Sequence, residues 1–231
     1  MATFVICHGT WDGGWCWREV RQQLRRLGHE VYTPTLTGLG ERSHLNGAHI
    51  DFHTHVQDIV NVITYENLTR VILVGHSYGG AVITGVAEHI PDRIEHLVYL
   101  DALVPIDGKT VGDLFGDEVF AQTAEFVAVF GDGWRLPYPG EIADSRIHDH
   151  PWHTYTQPIR IAHPRAAALP RTFVACTKRD AEAVYHQAIE SSAARARSSG
   201  WEYIEFAADH NPHLTMPAET AALLAQFAND A

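Results

Sequence analysis

The sequence predicts an α/β fold with a mostly parallel six-stranded sheet flanked by helices. Short aliphatic and β-branched runs alternate with segments of helical periodicity. This alternation is typical of parallel strands joined by right-handed crossovers. Runs such as residues 71–74, "VILV", are apolar at every position, which favours strands buried on both faces.

Six strands and five helices are expected in chain order. Val56, Ile59 and Ile63 recur at helical spacing, so their segment is predicted to be an amphipathic helix. Pro91 and Gly200 mark the ends of two other helices. The expected strands are 4–7, 31–36, 71–74, 97–100, 171–176 and 202–206, and the expected helices are 15–27, 56–63, 81–90, 181–198 and 223–227.

Residues 105–165 interrupt this alternation. They contain no clear strand and many aromatic residues, and long insertions in compact domains tend to be functional. We expect a single domain over 1–231, in which 105–165 form a small helical cap inserted after the fourth strand. Trp134 and Trp152 of this cap, with Trp11 of the first loop, are expected to bind substrate. The alternative is an insertion whose aromatic residues pack only against one another.

Charge and length exclude several classes of partner. The 231 residues include 17 basic and 28 acidic side chains, a net charge of −11, which argues against nucleic acid or an anionic membrane as partner. No stretch approaches the length of a membrane span, and a strand at residue 4 leaves no room for a secretory signal. Cys7, Cys16 and Cys176 fit no zinc spacing and are expected to be reduced. We therefore predict a cytoplasmic protein acting on a small molecule, and leave open whether it forms homo-oligomers.

Residues 74–80, "VGHSYGG", place one serine between glycines at the end of a predicted strand. A strand that becomes a helix within two residues forces strained dihedral angles on the turn, and Gly75 and Gly79 leave room for it. The G-x-S-x-G pattern is typical of a turn that raises the serine hydroxyl, here of Ser77, above the sheet. So short a pattern also recurs by chance. A catalytic role for Ser77 therefore requires chemical partners elsewhere in the chain.

Candidate partners follow the other strands, because ligands collect at the carboxyl ends of parallel strands. Asp101 follows the fourth strand, Asp180 the fifth and His210 the sixth. His210 can take the proton of Ser77, since an imidazole titrates near neutral pH. A carboxylate is needed to hold the imidazole in the correct tautomer. Both aspartates precede His210, so chain order does not choose between them.

An oxyanion hole is expected beside this serine. The amide of Tyr78 follows the nucleophile, and a second amide is expected at Thr10 in the loop "HGTWDGGW", residues 8–15. Preorganised donors of this kind stabilise a tetrahedral oxyanion by about 3 kcal/mol each. His8 is expected to brace the loop through hydrogen bonds.

No metal or cofactor is predicted. The histidines in residues 51–58, "DFHTHVQD", and 148–153, "HDHPWH", are short clusters, whereas a zinc site needs three or four convergent ligands. Asp51 is read as a helix N-cap instead.

The segments "FVICHGTWDGGWCW", "VILVGHSYGGAVI" and "ADHNPHLTMP" resemble the α/β-hydrolase superfamily. They are most similar to its branch of bacterial esterases, carbamate hydrolases, plant methyl esterases and hydroxynitrile lyases. The resemblance implies an α/β-hydrolase fold and a triad of Ser77, His210 and an acid, with the amides of Thr10 and Tyr78 as the oxyanion hole. Asp180 is the preferred acid, because its position is the commoner one in the family, and Asp101 is the alternative.

The resemblance implies a cofactor-independent hydrolase of a carboxylic ester, working through an acyl-enzyme, and the aromatic residues of the cap indicate a small, apolar, aromatic substrate. A carbamate, amide or lactone is the alternative substrate. Hydroxynitrile lyases of this branch carry a threonine and a lysine where this chain has Gly9 and Asn211, which favours hydrolysis. A ligand-binding protein on the same scaffold is a further alternative, against which the intact set of reactive residues argues.

Overall fold

The central sheet contains six parallel strands in the order β2-β1-β3-β4-β7-β8. A computed structural model describes residues 1–140 and 144–228, so three residues of the predicted cap and the last three of the predicted domain lie outside the described residues. The predicted six-stranded parallel sheet is confirmed. The strands are β1 (Thr3–Cys7), β2 (Glu30–Tyr32), β3 (Val71–His76), β4 (Ile94–Leu100), β5 (Arg135–Leu136), β6 (His150–Pro151), β7 (Arg171–Cys176) and β8 (Glu202–Phe206).

Helices cover both faces of this sheet and fill the segment between β4 and β7. The described helices are α1 (Arg18–Arg26), α2 (Phe52–Tyr65), α3 (Gly79–His89), α4 (Asp117–Phe130), α5 (His153–Thr156), α6 (Pro164–Ala167), α7 (His186–Ser198), α8 (Pro212–Thr215) and α9 (Pro217–Gln226). Asp51 caps α2 as predicted, because its carboxylate accepts the Thr54 amide at 2.9 Å.

Two element boundaries differ from the sequence prediction. The second strand was expected over 31–36 but ends at Tyr32. It is an edge strand, and Pro34 lacks the N–H that would continue its ladder. The insertion was expected to lack strands, yet β5 and β6 pair there in antiparallel fashion over two residues each.

The core lies on both sides of the sheet. Phe4 and Ile6 of β1 belong to one buried cluster, with residues of α1 and α9. Val5 and Cys7 belong to the other, with residues of α2, α3 and α7. Since successive side chains of a strand face opposite sides, burial on both faces explains why the strands are apolar at every position.

The insertion packs against the main core. Trp152 and Tyr155 are 6% and 5% exposed, and both belong to the cluster that contains α2 and α3. The Tyr155 ring stacks on Tyr78 with centroids 5.4 Å apart. The alternative of an insertion packed only on itself is therefore wrong. Among the described residues, no helix has the length and apolar character to cross a membrane.

Candidate active site

Ser77 occupies a strained turn between β3 and α3. Its φ is +52°, in the left-handed region that non-glycine residues rarely adopt. A Cβ on Gly75 would lie 2.5 Å from the Gly79 carbonyl oxygen, and a Cβ on Gly79 would lie 2.4 Å from the Cys7 carbonyl oxygen. The two flanking glycines are thus required by close backbone approach.

The structure brings Ser77, His210 and Asp101 into one hydrogen-bonded line. His210 Nε2 lies 3.1 Å from Ser77 Oγ, and His210 Nδ1 lies 2.7 Å from Asp101 Oδ2. Asp101 is fully buried and His210 is nearly so. With Nδ1 donating to the carboxylate, Nε2 is left as the nitrogen that can accept the serine proton.

The preference for Asp180 as the partner of His210 is wrong. Asp180 is exposed, and its Oδ1 accepts the amide of Glu182 two residues further on. Asp101 follows β4, whose neighbour in the sheet is β3, the strand that ends at Ser77. Its positive φ of 45° belongs to the sharp turn that holds the carboxylate at the sheet edge.

Arg179 is a residue of the site that the sequence interpretation missed. Its guanidinium, 5% exposed, donates to Asp101 Oδ1 and also pairs with Glu190. The same carboxylate oxygen accepts the Cys176 amide at 2.9 Å. The sequence did contain a signal for Arg179, because it directly precedes the candidate acid Asp180 just after β7. Asp101 is therefore held in place on both oxygens.

Two further side chains fix His210. His76 Nε2 donates to the His210 carbonyl oxygen at 2.7 Å. The Tyr185 ring stacks on the imidazole, with centroids 4.2 Å apart and planes 23° from parallel. One contact restrains the backbone of His210 and the other restrains its ring, so the imidazole keeps its orientation toward Ser77.

Two free amides belong to the predicted oxyanion hole, one in the loop after β1 and one directly after Ser77. Among the described residues, neither the Thr10 nor the Tyr78 amide has a hydrogen-bond acceptor. His8 braces this loop as predicted, because its Nδ1 donates to the Gly9 carbonyl at 2.8 Å and its Nε2 accepts the Leu36 amide at 3.0 Å. Burial lowers the pKa of His8 to about 4, so its ring is neutral and can accept this hydrogen bond at neutral pH.

An apolar cavity of about 290 Å³ lies between the insertion and this loop. Trp11 and Trp152 line it, as predicted, but Trp134 does not. The Trp134 ring lies against the Arg135 guanidinium instead, and Leu136 contributes to the wall. The remaining lining residues are Gly112, Phe115, Val119, Phe120, Gln122, Thr123, Phe126, Pro137, Pro139, Tyr155 and Val184.

Two hydrogen bonds join the cavity to the serine loop. The Tyr155 hydroxyl lies 2.6 Å from Thr10 Oγ1, and Trp11 Nε1 donates to the Leu136 carbonyl at 2.8 Å. Ser77 and His210 do not line the cavity themselves. The cavity therefore adjoins the predicted oxyanion loop, to which Trp11 belongs and Tyr155 is hydrogen-bonded.

Three of the five histidines in the two clusters make ordinary side-chain hydrogen bonds. His55 contacts the Tyr78 hydroxyl and the Thr37 carbonyl, and His150 contacts Thr154. His153 donates to the Ala48 carbonyl. Over residues 1–140 and 144–228, the side chains that converge closely enough to hold a cation are Asp12, Cys16 and His213. All three cysteines are free and buried.

Comparison with known proteins places the chain in a family. Residues 4–223 match the alpha/beta hydrolase family, to which the chain therefore belongs. A carbendazim hydrolyzing esterase of Nocardioides sp. is 36% identical over 97% of this chain and 99% of its own length. A pyrethroid hydrolase of Sphingobium wenxiniae is 26% identical over 99% of this chain and 88% of its own.

Solved structures agree with this assignment. An extracellular alpha/beta-hydrolase from a Paenibacillus species superimposes with a TM-score of 0.82 and 26% identity, over 98% of both chains. The predicted family, fold and class of enzyme, a hydrolase, are thereby confirmed.

Proposed function

We propose that the chain is a serine hydrolase that cleaves a small, apolar, aromatic carboxylic ester. The observation that carries the proposal is the hydrogen-bonded line from Asp101 through His210 to Ser77. A hydroxyl on a strained turn, an imidazole hydrogen-bonded to it and a buried carboxylate together supply the nucleophile, the base and the group that orients the base.

The chemistry follows from these positions. Ser77 Oγ attacks the ester carbonyl carbon while His210 Nε2 takes the hydroxyl proton. The amides of Thr10 and Tyr78 donate to the resulting oxyanion. Collapse of this intermediate breaks the bond to the alcohol, which leaves with the proton from His210. A water molecule deprotonated by His210 then attacks the acyl-enzyme and releases the acid, restoring the Ser77 hydroxyl.

The substrate class is argued from the cavity. Its walls are mainly apolar, and two of its aromatic rings, Phe120 and Trp152, pack against each other with centroids 5.5 Å apart. Flat apolar walls of this kind select a compact aromatic group by shape. Gln122 and Thr123 are the polar side chains on the wall, and they can orient a heteroatom of that group.

A carbamate is the second candidate substrate. The relative at 36% identity is named for carbendazim, which is an aromatic methyl carbamate. The same nucleophile, base and oxyanion donors serve for esters and carbamates, so the chemistry of the leaving group decides between them. A cytoplasmic location stays a prediction.

The test is covalent labelling combined with a substrate panel. A serine-reactive fluorophosphonate should label the wild-type chain and Ser191→Ala, whose serine is exposed on α7, but should not label Ser77→Ala. Ser77→Ala should also lose turnover of phenyl acetate, methyl benzoate and carbendazim, with an unchanged circular dichroism spectrum. Labelling that persists in Ser77→Ala would refute the proposed nucleophile. Turnover of carbendazim well above that of both esters would assign the carbamate class.

A further inference from the structure

A second cluster of reactive side chains lies apart from the proposed triad. The carboxylate of Asp12, the thiol of Cys16 and the imidazole of His213 each have a ligand atom within 4.8 Å of the others. Asp12 and Cys16 belong to the segment after β1, and His213 belongs to α8. Cys16 is 4% exposed and His213 is 1% exposed. None of the three takes part in the proposed hydrolysis.

Two members of this cluster, His213 and Asp12, lack side-chain hydrogen-bond partners among the described residues. Neither ring nitrogen of His213 has a hydrogen-bond partner in the described part of the chain, and within the same residues the Asp12 carboxylate accepts no hydrogen bond. A buried polar group without a partner costs about 1–3 kcal/mol. The His213 ring instead stacks on Trp17, with centroids 4.5 Å apart and planes 11° from parallel. This contact fixes the ring plane without satisfying either nitrogen.

The geometry of the cluster leaves room for a cation. The His213 ring is almost fully buried and neither of its nitrogens has a hydrogen-bond partner among the described residues, while a carboxylate oxygen and a sulfur atom lie within 4.8 Å of it. An imidazole nitrogen without a hydrogen bond has a lone pair that a cation can use, and the same cation would stabilise the neighbouring carboxylate.

The donor set indicates which kind of cation fits. Carboxylate oxygen, thiolate sulfur and imidazole nitrogen are ligands of zinc, whereas magnesium and calcium prefer oxygen alone. Tetrahedral bonds of about 2.0–2.3 Å place zinc ligands roughly 3.5 Å apart. Side-chain rotations that move the three ligand atoms by about 1 Å would bring them to this spacing. The Cys16 thiol now donates to the Gly13 carbonyl at 2.9 Å. On binding, its proton passes to solvent and the sulfur becomes a ligand.

We propose that Asp12, Cys16 and His213 bind a divalent cation of the zinc class, with water as the fourth ligand. Such an ion would join the loop that carries Thr10 to the segment that carries His210, since Asp12 and His213 lie two and three residues beyond them. The ion has a structural role and takes no part in the hydrolysis. This proposal departs from the sequence-based expectation that the chain binds no metal.

Cobalt(II) titration of the metal-free protein tests the site. Wild type should show a thiolate-to-cobalt charge-transfer band that saturates at one equivalent. Cys16→Ser should lose the band, and Asp12→Asn and His213→Gln should weaken binding at least tenfold. Two controls should behave as wild type: Cys7→Ala, which removes a buried thiol outside the cluster, and His153→Gln, which removes an exposed histidine of residues 148–153.

Thermal unfolding provides a readout independent of the band. Zinc should raise the Tm of wild type and of both controls, but not of His213→Gln. If Cys16→Ser does not fold, Asp12→Asn decides, because Asp12 is only half-buried. The absence of a saturable cobalt band in wild type would overturn the proposal, as would a band retained in Cys16→Ser or lost only in His153→Gln.

Discussion

At the scale of single residues, Asp101 shows how a buried carboxylate is held in one orientation. One oxygen accepts the Cys176 amide and the Arg179 guanidinium, and the other accepts His210 Nδ1. Hydrogen bonds from a guanidinium are among the stronger ones that proteins make. Three donors and full burial restrain Asp101, and its hydrogen bond to Nδ1 in turn orients the His210 imidazole.

Replacing each candidate acid by its amide separates their roles. In Asp101→Asn the amide disfavours the Nδ1–H tautomer of His210, so kcat for phenyl acetate should fall by up to about 10⁴. Asp180→Asn should keep kcat within about threefold of wild type, because Asp180 is exposed and caps its own turn. Steady-state kinetics at neutral pH measures both. A kcat that collapses in Asp180→Asn but not in Asp101→Asn would contradict the site described above.

At the scale of elements, the insertion between β4 and β7 forms a wall of the cavity and also belongs to the core. Trp152 is the clearest case, because it lines the cavity and is only 6% exposed. Its amide donates to the Trp134 carbonyl at 2.8 Å, so the two tryptophans share a backbone contact. Their rings differ in position, because Trp152 lines the cavity and Trp134 does not.

The two tryptophans therefore form a matched pair of variants. Trp152→Ala should change the kcat/KM ratio of methyl benzoate to methyl acetate by about tenfold or more, because a lost apolar contact in a pocket discriminates by that amount. It should also lower the free energy of unfolding by about 3 kcal/mol. Trp134→Ala should leave the ratio within about twofold. The ester kinetics and urea unfolding of both variants check this, and an equal change in selectivity would contradict the cavity assignment.

At the scale of the whole molecule, the fold buries several histidines in neutral form. His8 and His55 each use one ring nitrogen as donor and the other as acceptor. Burial lowers the pKa of both to about 4. In the unfolded chain the same residues titrate near 6.5. Between these two pKa values, the folded state therefore binds fewer protons than the unfolded state.

This difference predicts acid sensitivity with a defined sign. Above pH 6.5 both states are neutral and stability is unaffected. As the pH falls from 6.5 toward 4, the unfolded chain binds more protons, so the free energy of unfolding decreases. His8 alone should account for about 2 kcal/mol of the loss between pH 7.5 and 5.

Urea unfolding at pH 7.5 and pH 5 measures this loss. The drop should be smaller by about this amount in His8→Gln. It should be unchanged in His89→Gln, where the histidine is exposed at the end of α3. Stability that stays constant or rises on acidification would contradict neutral burial of His8.

The sequence alone was enough to predict the α/β fold and two members of the candidate triad. Strands buried on both faces must be apolar at every position, so β3 could be predicted from "VILV". The turn at Ser77 could be predicted because only glycine tolerates the backbone contacts at Gly75 and Gly79. His210 could be predicted from its place after the last strand. Each of these depends on local geometry, which short-range patterns record.

The tertiary structure alone decided which groups meet across distant segments. Asp101 and Asp180 both follow strands that end near His210, and only the turns after those strands direct one carboxylate inward and the other to solvent. The walls of the cavity depend on packing between the loop after β1 and the insertion, and the convergence of Asp12 with His213 joins segments about 200 residues apart. Side-chain direction in loops is set by long-range contacts, and sequence periodicity carries no record of them.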